Sequence, residues 1–203
     1  MRRWLVSVGM IVLFSVSASA ADYQSGFGFG ISVPDVWLVL TRSEVAKNAS
    51  SFLEEDGSGG FAAVPQSTRR AVFERVEEGQ LEIFYRREGL SGSFVDNVNV
   101  MLQPADLPSS AVELKGFCRV LPAEFSRVFG RPIGMDSCEM RVLVNRPALY
   151  LQFDGAIPGT TTLQYQVQHR LGETLVLTAT AARSNLPRMM SEFEEMVASI
   201  RIP

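Results

Sequence analysis

Two cysteines, one histidine and a surplus of carboxylates are the residues with which this chain could do chemistry. Cys118 and Cys138 are the only cysteines among 203 residues, and His169 is the only histidine. Redox pairs usually stand as C-x-x-C, and a zinc centre draws four ligands. A spacing of about twenty residues instead suits a structural bridge, stabilising by about 3 kcal/mol in the chain-entropy model. His169 precedes a turn at Gly172 and faces Glu173. A carboxylate can orient an imidazole, but the sequence sets no nucleophile beside the pair, which reads as a cross-strand contact at the sheet edge. Gly89-Leu90-Ser91-Gly92 is one residue short of G-x-S-x-G, and no H-E-x-x-H or calcium loop occurs. Gly26-Phe27-Gly28-Phe29-Gly30 is glycine-rich, but its phenylalanines continue a strand and no helix opens behind it to hold a phosphate. Glu54, Glu55 and Asp56 stand beside a glycine loop and read as solvated. The expectation is a protein without catalytic residues, cofactor or metal.

Charge and address narrow the partners. Arg2 and Arg3 precede an apolar run from Trp4 to Val16, followed by Ser17-Ala18-Ser19-Ala20. That is the pattern of a secretory signal peptide, residues 1–20, cleaved near Ala20. An uncleaved anchor needs about 18 apolar residues, and this run is shorter. The expected location is periplasmic or secreted, where a disulfide persists. Losing Arg2 and Arg3 takes the net charge from −3 to −5. An acidic chain without a basic run is a poor partner for nucleic acid. About 183 residues remain for one domain, 21–203, enough to bury roughly 70% of the unfolded surface without a metal.

The elements that must position these residues follow from periodicity. Phe27 to Val33 alternates as a half-buried strand, and Val36 to Leu40 reads as a second. Thr41 to Leu53 reads as a helix, Glu54 to Gly60 as a loop, and Pro65 to Glu78 as a helix closed by Gly79. Gln80 to Arg87 and Phe94 to Leu102 alternate as strands. Ser109 to Phe129 reads as a helix interrupted near Pro122. Asn185 to Ile200 is an amphipathic helix, with Leu186, Met189, Met190, Phe193, Met196, Val197 and Ile200 on one face and Arg188, Glu192, Glu194 and Glu195 on the other.

Between these two helices the sequence predicts a four-strand antiparallel meander. An Asn145-Arg146 turn sets Val142 against Leu149, Met140 against Leu151 and Cys138 against Phe153. An Arg170-Leu171-Gly172 loop sets Val167 against Leu175, with Gly172 left-handed in a bulge. The expected apolar face carries Cys138, Met140, Val142, Leu149, Leu151, Phe153, Leu163, Tyr165, Val167, Leu175 and Leu177, beneath both the last helix and the helix bearing Cys118. The opposite face carries Glu139, Arg141, Tyr150, Gln152, Gln164, Gln166, Gln168, Thr174, Thr178 and Thr180. Antiparallel sheets commonly leave one face to solvent. The sharper reading is a binding surface of amides and hydroxyls.

Four stretches resemble the PsbP-like superfamily, which includes photosystem II extrinsic proteins, a Ran-binding nuclear-import factor and DcrB-type bacterial envelope proteins. They are the strand and turn Phe29-Gly-Ile-Ser-Val-Pro-Asp-Val-Trp37, the strand Asp96-Asn97-Val98-Asn99-Val100, the hairpin at Gly172, and the terminal Val197-Ala-Ser-Ile-Arg201. Val36 replaces the glycine usual in the first motif. The resemblance implies an α+β fold, an α/β/α sandwich on a mainly antiparallel sheet. It also implies a binding or assembly role, with Trp37, Asn97 and Asn99 as fold-makers. The expected function is therefore a non-enzymatic accessory protein of the cell envelope whose partner is another envelope protein. The alternatives are a small-ligand carrier with an apolar pocket near Met189, Met190 and Phe193, and an enzyme of unrecognised type centred on His169 and Glu173.

Overall fold

The computed structural model describes residues 20–43, 66–86 and 94–203. The signal-peptide residues 1–19, the Glu54–Gly60 loop and most of the Thr41–Leu53 helix lie outside the described residues. In chain order the elements are β1 (Ala20–Gln24), β2 (Gly30–Pro34), β3 (Trp37–Leu40), α1 (Gln66–Glu77), β4 (Glu82–Arg86), β5 (Asn97–Gln103), α2 (Ala111–Phe129), β6 (Met135–Leu143), β7 (Arg146–Asp154), β8 (Thr160–Arg170), β9 (Glu173–Ala182) and α3 (Leu186–Ala198). Strands β3-β4-β5-β9-β8-β7-β6 form one antiparallel sheet, and β1 and β2 form a separate hairpin. The expected meander is the β9-β8-β7-β6 half of the large sheet.

Helices cover both faces, giving the α/β/α sandwich of an α+β fold. On one face α3 places Met189, Phe193, Met196 and Val197 against Phe84, Val98, Leu163, Tyr165 and Leu177, with Ile31 and Val33 of β2, Phe29 just before it and Trp37 in the same core. On the other face the cover is divided. Phe73 and Val76 of α1 pack on Leu40, Ile83 and Tyr85 at the β3–β4 end. Leu121, Phe117 and Phe125 of α2 pack on Leu149, Leu151 and Phe153 at the β6–β7 end. The central strands of that face lie between the two helices.

Local chemistry explains the helix limits. Ser110 accepts the Glu113 N–H (3.2 Å), while Glu113 Oε2 accepts from the Ser109 N–H (2.7 Å) and hydroxyl (2.8 Å). That is a capping-box exchange opening α2. Gly130, at φ 66, closes it. Helix α2 runs unbroken through Pro122, against the expected interruption. The Ser126 hydroxyl donates to the Pro122 carbonyl (2.6 Å) and accepts the Ile133 N–H (2.9 Å), which anchors the second half of the helix.

The β6–β7 register differs from the expected one. The turn residues are Val144 (φ 49) and Asn145 (φ 62), so Val142 faces Pro147, Met140 faces Leu149 and Cys138 faces Leu151. Proline is the reason. A turn at Asn145-Arg146 would make Pro147 the residue that donates the closing hydrogen bond, and proline has no N–H. One residue earlier, Arg146 donates and Pro147 falls where none is needed. At the other hairpin the expected pairs Val167–Leu175, Tyr165–Leu177 and Leu163–Ala179 all form, with Gly172 at φ 75 and an irregularity between Gln168 and Arg170.

The β7–β8 pairing overturns the single apolar face. Tyr150 pairs with Tyr165, Leu149 with Gln166, and Leu151 with Gln164. Odd residues of β7 therefore share a face with even residues of β8. The Gly155–Gly159 loop fixes this phase, because Gly155 N–H donates to the Thr160 carbonyl (3.0 Å) and Arg183 N–H to that of Gly159 (3.0 Å). A Cβ on Gly155 would run into the Thr160 hydroxyl. Gly155→Ala should therefore destabilise by about 2 kcal/mol through overpacking; an unchanged melting temperature would contradict this.

Candidate functional site

The expected binding face is divided between the two sides of the sheet. Glu139, Arg141, Tyr150 and Gln152 share the α3 side with Tyr165, whereas Gln164, Gln166, Gln168 and Thr178 share the α1/α2 side with Leu149 and Leu151. The physical reason is the β7–β8 phase, which places apolar β7 residues beside amides. On each side the burial pattern is mixed because helices cover only part of it.

On the α3 side the polar residues form a closed cluster. The Arg141 guanidinium lies 3.5 Å from the Tyr150 ring centroid and donates to the Tyr165 hydroxyl (2.8 Å) and Glu139 (2.9 Å). Glu194 of α3 accepts from Tyr165 (3.2 Å) and Arg141 (3.4 Å), and Tyr150 donates to Gln152 Oε1 (3.2 Å). Burial pushes the Tyr150 phenol up to about 12 despite Arg141, and burial also raises Tyr165. Both phenols stay neutral, as hydrogen-bond groups anchoring α3 at the sheet edge.

Gln168 leaves the candidate surface as well. Its Oε1 accepts the Leu107 N–H (3.1 Å), and its Nε2 donates to Asp106 (3.0 Å) and to the carbonyls of Arg170 (2.7 Å) and Glu173 (3.2 Å). Asp106 also accepts the Gly172 N–H (2.8 Å). Gln168 thus ties the loop before α2 to the β8–β9 turn. His169 Nε2 lies 3.9 Å from Glu173 Oε1, and Glu173 Oε2 accepts from Arg170 (3.0 Å). Among the described residues no group of three or more His, Cys, Asp or Glu could hold a metal. The bridge between Cys118 and Cys138 is formed, with Cα atoms 5.8 Å apart, tying α2 to β6. Met189 and Phe193 are wholly buried in the core while Met190 is exposed, and none of the three lines the cleft beside Phe125.

Among the described residues, what remains is a groove between α1 at one end of this face and α2 at the other, floored by β5, β9 and β8. Gln164 Nε2 donates to Thr178 Oγ1 (2.9 Å), Gln166 Nε2 donates to Gln164 Oε1 (2.7 Å), and the hydroxyls of Thr162 and Thr180 lie 3.3 Å apart. Asn97 Nδ2 donates to the Val95 carbonyl (3.0 Å). Each amide offers two donors and two lone pairs, so this ladder orders the floor while leaving hydrogen-bonding capacity open. At the α2 end the floor meets a cleft of about 280 Å³, walled by Phe125, Phe129, Phe153 and Phe94 and by Ile157 of the β7–β8 loop. Phe125 stacks on Phe129 (5.9 Å) and contacts Phe153 (4.5 Å), so the rings form one continuous wall. Among the described residues the lining has no titratable side chain. The residues missed from sequence are these walls. The available signal was Phe117, Phe125 and Phe129 in multiples of four along one helix.

Comparison with known proteins establishes the fold. No protein-family model matches the chain, and no curated protein matches it in sequence. The solution structure of cyanobacterial PsbP (CyanoP) from Synechocystis sp. PCC 6803 matches with a TM-score of 0.53 at 13% identity, covering 98% of this chain and 99% of that one. The Saccharomyces cerevisiae Ran-binding protein Mog1p is similar at 0.49 and 11%, covering 92% of this chain and 96% of that one. A Pseudomonas aeruginosa protein of unknown function, PA94, is similar at 0.47 and 12%, covering 91% and 96%. The chain carries a PsbP-like fold. Val36 is not among the residues with positive φ, so the turn before Trp37 does not require the glycine usual in that motif.

Proposed function

We propose that this chain is an exported, non-enzymatic accessory protein that binds another envelope protein through the groove between α1 and α2. The observation that carries this reading is the pairing of a hydrogen-bonded amide and hydroxyl floor with a continuous phenylalanine wall. Such a surface suits an extended peptide segment: one apolar side chain enters the cleft and flanking backbone amides meet Gln164, Gln166, Thr178 and Asn97. A cleft of about 280 Å³ has room for one large apolar side chain. The described lining of amides, hydroxyls and aromatic rings supplies no titratable group for acid–base chemistry. Export is supported by the Arg2-Arg3 start, the apolar run, the small residues at Ala18 and Ala20, and the disulfide. No helix of the described residues is long and apolar enough to cross a membrane.

The test is substitution of the floor. Gln164→Ala with Gln166→Ala should leave the circular dichroism spectrum native and weaken partner binding at least about tenfold, by about 1.4 kcal/mol. Native mass spectrometry of the protein recovered from its own cell envelope reads the loss as a fall in bound mass. Undiminished occupancy would remove the groove from consideration.

A further inference from the structure

The outer edge of β6 carries an arrangement that the groove does not use. β6 ends the seven-stranded sheet, and no strand pairs with its outer side among the described residues. Natural edge strands are commonly blunted by brevity, lysine or proline. β6 has nine residues with neither lysine nor proline, and its irregularity is confined to Met135–Ser137.

Hairpin geometry fixes which backbone groups point outward. Leu143 and Arg146 close the Val144-Asn145 turn as a hydrogen-bonded pair. The pattern alternates from there. Arg141 and Glu139 therefore spend their N–H and C=O groups on β7, while Val142, Met140 and Cys138 turn theirs outward. Pro147 opposite Val142 agrees with this, because that position owes β6 no N–H.

The side chains along this edge are self-complementary. In an antiparallel pairing of two copies about a two-fold axis at Met140, Glu139 of each copy lies opposite Arg141 of the other. Moving the axis one residue either way sets Glu139 against Glu139 or Arg141 against Arg141, which is repulsive. Cys138 and Val142 lie opposite each other in the favoured pairing, and it would cover Val142, which is 79% exposed. Arg141 is already held by the Tyr150 ring and the Tyr165 hydroxyl, so ordering it on association costs little. We propose that the protein forms a two-fold dimer by pairing β6 with β6 of a second copy about Met140, joining the two sheets into one.

Sedimentation velocity of the purified protein over a concentration range tests this. The expected result is a mass that rises from one chain to two. Glu139→Arg puts like charges at both flanking pairs and should raise the dissociation constant at least about tenfold, as should Arg141→Glu alone. An equimolar mixture of the two variants restores opposite charges at both pairs and should dimerise again. Met140→Pro removes an outward N–H that β7 does not use and should also give monomers. Glu139 is exposed, so Glu139→Arg remains decisive if Met140→Pro fails to fold. A wild-type protein that stays monomeric, a dimer that survives Glu139→Arg, or a mixture that stays monomeric would each overturn the proposal.

Discussion

Glu192→Ala should destabilise the protein by about 3 kcal/mol or more, the range for breaking one side of a buried ion pair. Arg86 stands on β4 with its side chain 6% exposed, and Glu192 stands on α3 at 19%. Arg86 Nε donates to Glu192 Oε2 (3.0 Å) and Nη2 to Oε1 (3.0 Å), a bidentate grip, while Trp37 Nε1 donates to Oε2 (3.1 Å). Removing the carboxylate takes a shared acceptor from a buried cation and a buried indole at once. At about 2–4 °C per kcal/mol for a chain of this size, the melting temperature should fall by about 6–12 °C. Arg188, 47% exposed and 3.9 Å from Glu192, is a control whose alanine variant should move stability by under about 1 kcal/mol. Replacing both partners, as Arg86→Met with Glu192→Leu, should recover part of the loss, since apolar substitutes need no counter-charge from α3. A Glu192→Ala protein as stable as wild type by urea unfolding would contradict this reading of α3.

The second large effect concerns the bridge. Cys118→Ser with Cys138→Ser should cost about 3 kcal/mol in the chain-entropy model for a separation of 20 residues. The bridge joins α2 to β6, the end strand of the sheet among the described residues, and so also restrains the helix that walls the groove. The variant should keep native far-ultraviolet dichroism, unfold at lower urea, and bind less tightly at the groove. Equal unfolding midpoints for the oxidised and reduced proteins would show that the bridge adds nothing to stability.

The sequence made some elements legible and hid others for definite reasons. The α3 periodicity correctly put Met189, Phe193, Met196 and Val197 inward, because packing against a sheet is visible in local spacing. The same spacing put Glu192 outward. Its partner Arg86 is 106 residues away, and no local pattern records it. The Gly172 hairpin was readable since a positive φ and a face rule acted together. The β6–β7 turn was also readable through Pro147, which cannot donate the closing bond, but Val144 in a left-handed turn runs against propensity. The β7–β8 phase was not readable. It depends on how Gly155 folds against Thr160, and sorting β7 and β8 by apolar character puts Leu151 with Leu163. That step split the expected site: Gln164, Gln166 and Thr178 went to the groove, while Arg141 and Tyr150 went beneath α3.

The central claim is that a protein partner occupies that groove. The most direct measurement is photo-cross-linking in living cells, with benzoylphenylalanine placed at Ile157, which is 49% exposed and forms the rim of the cleft. The same probe at Glu195 on the outer side of α3 serves as reference. The account predicts a covalent adduct of defined mass from position 157 that disappears with Gln164→Ala and Gln166→Ala and does not form from position 195. No adduct from position 157, or the same adduct from both positions, would contradict it.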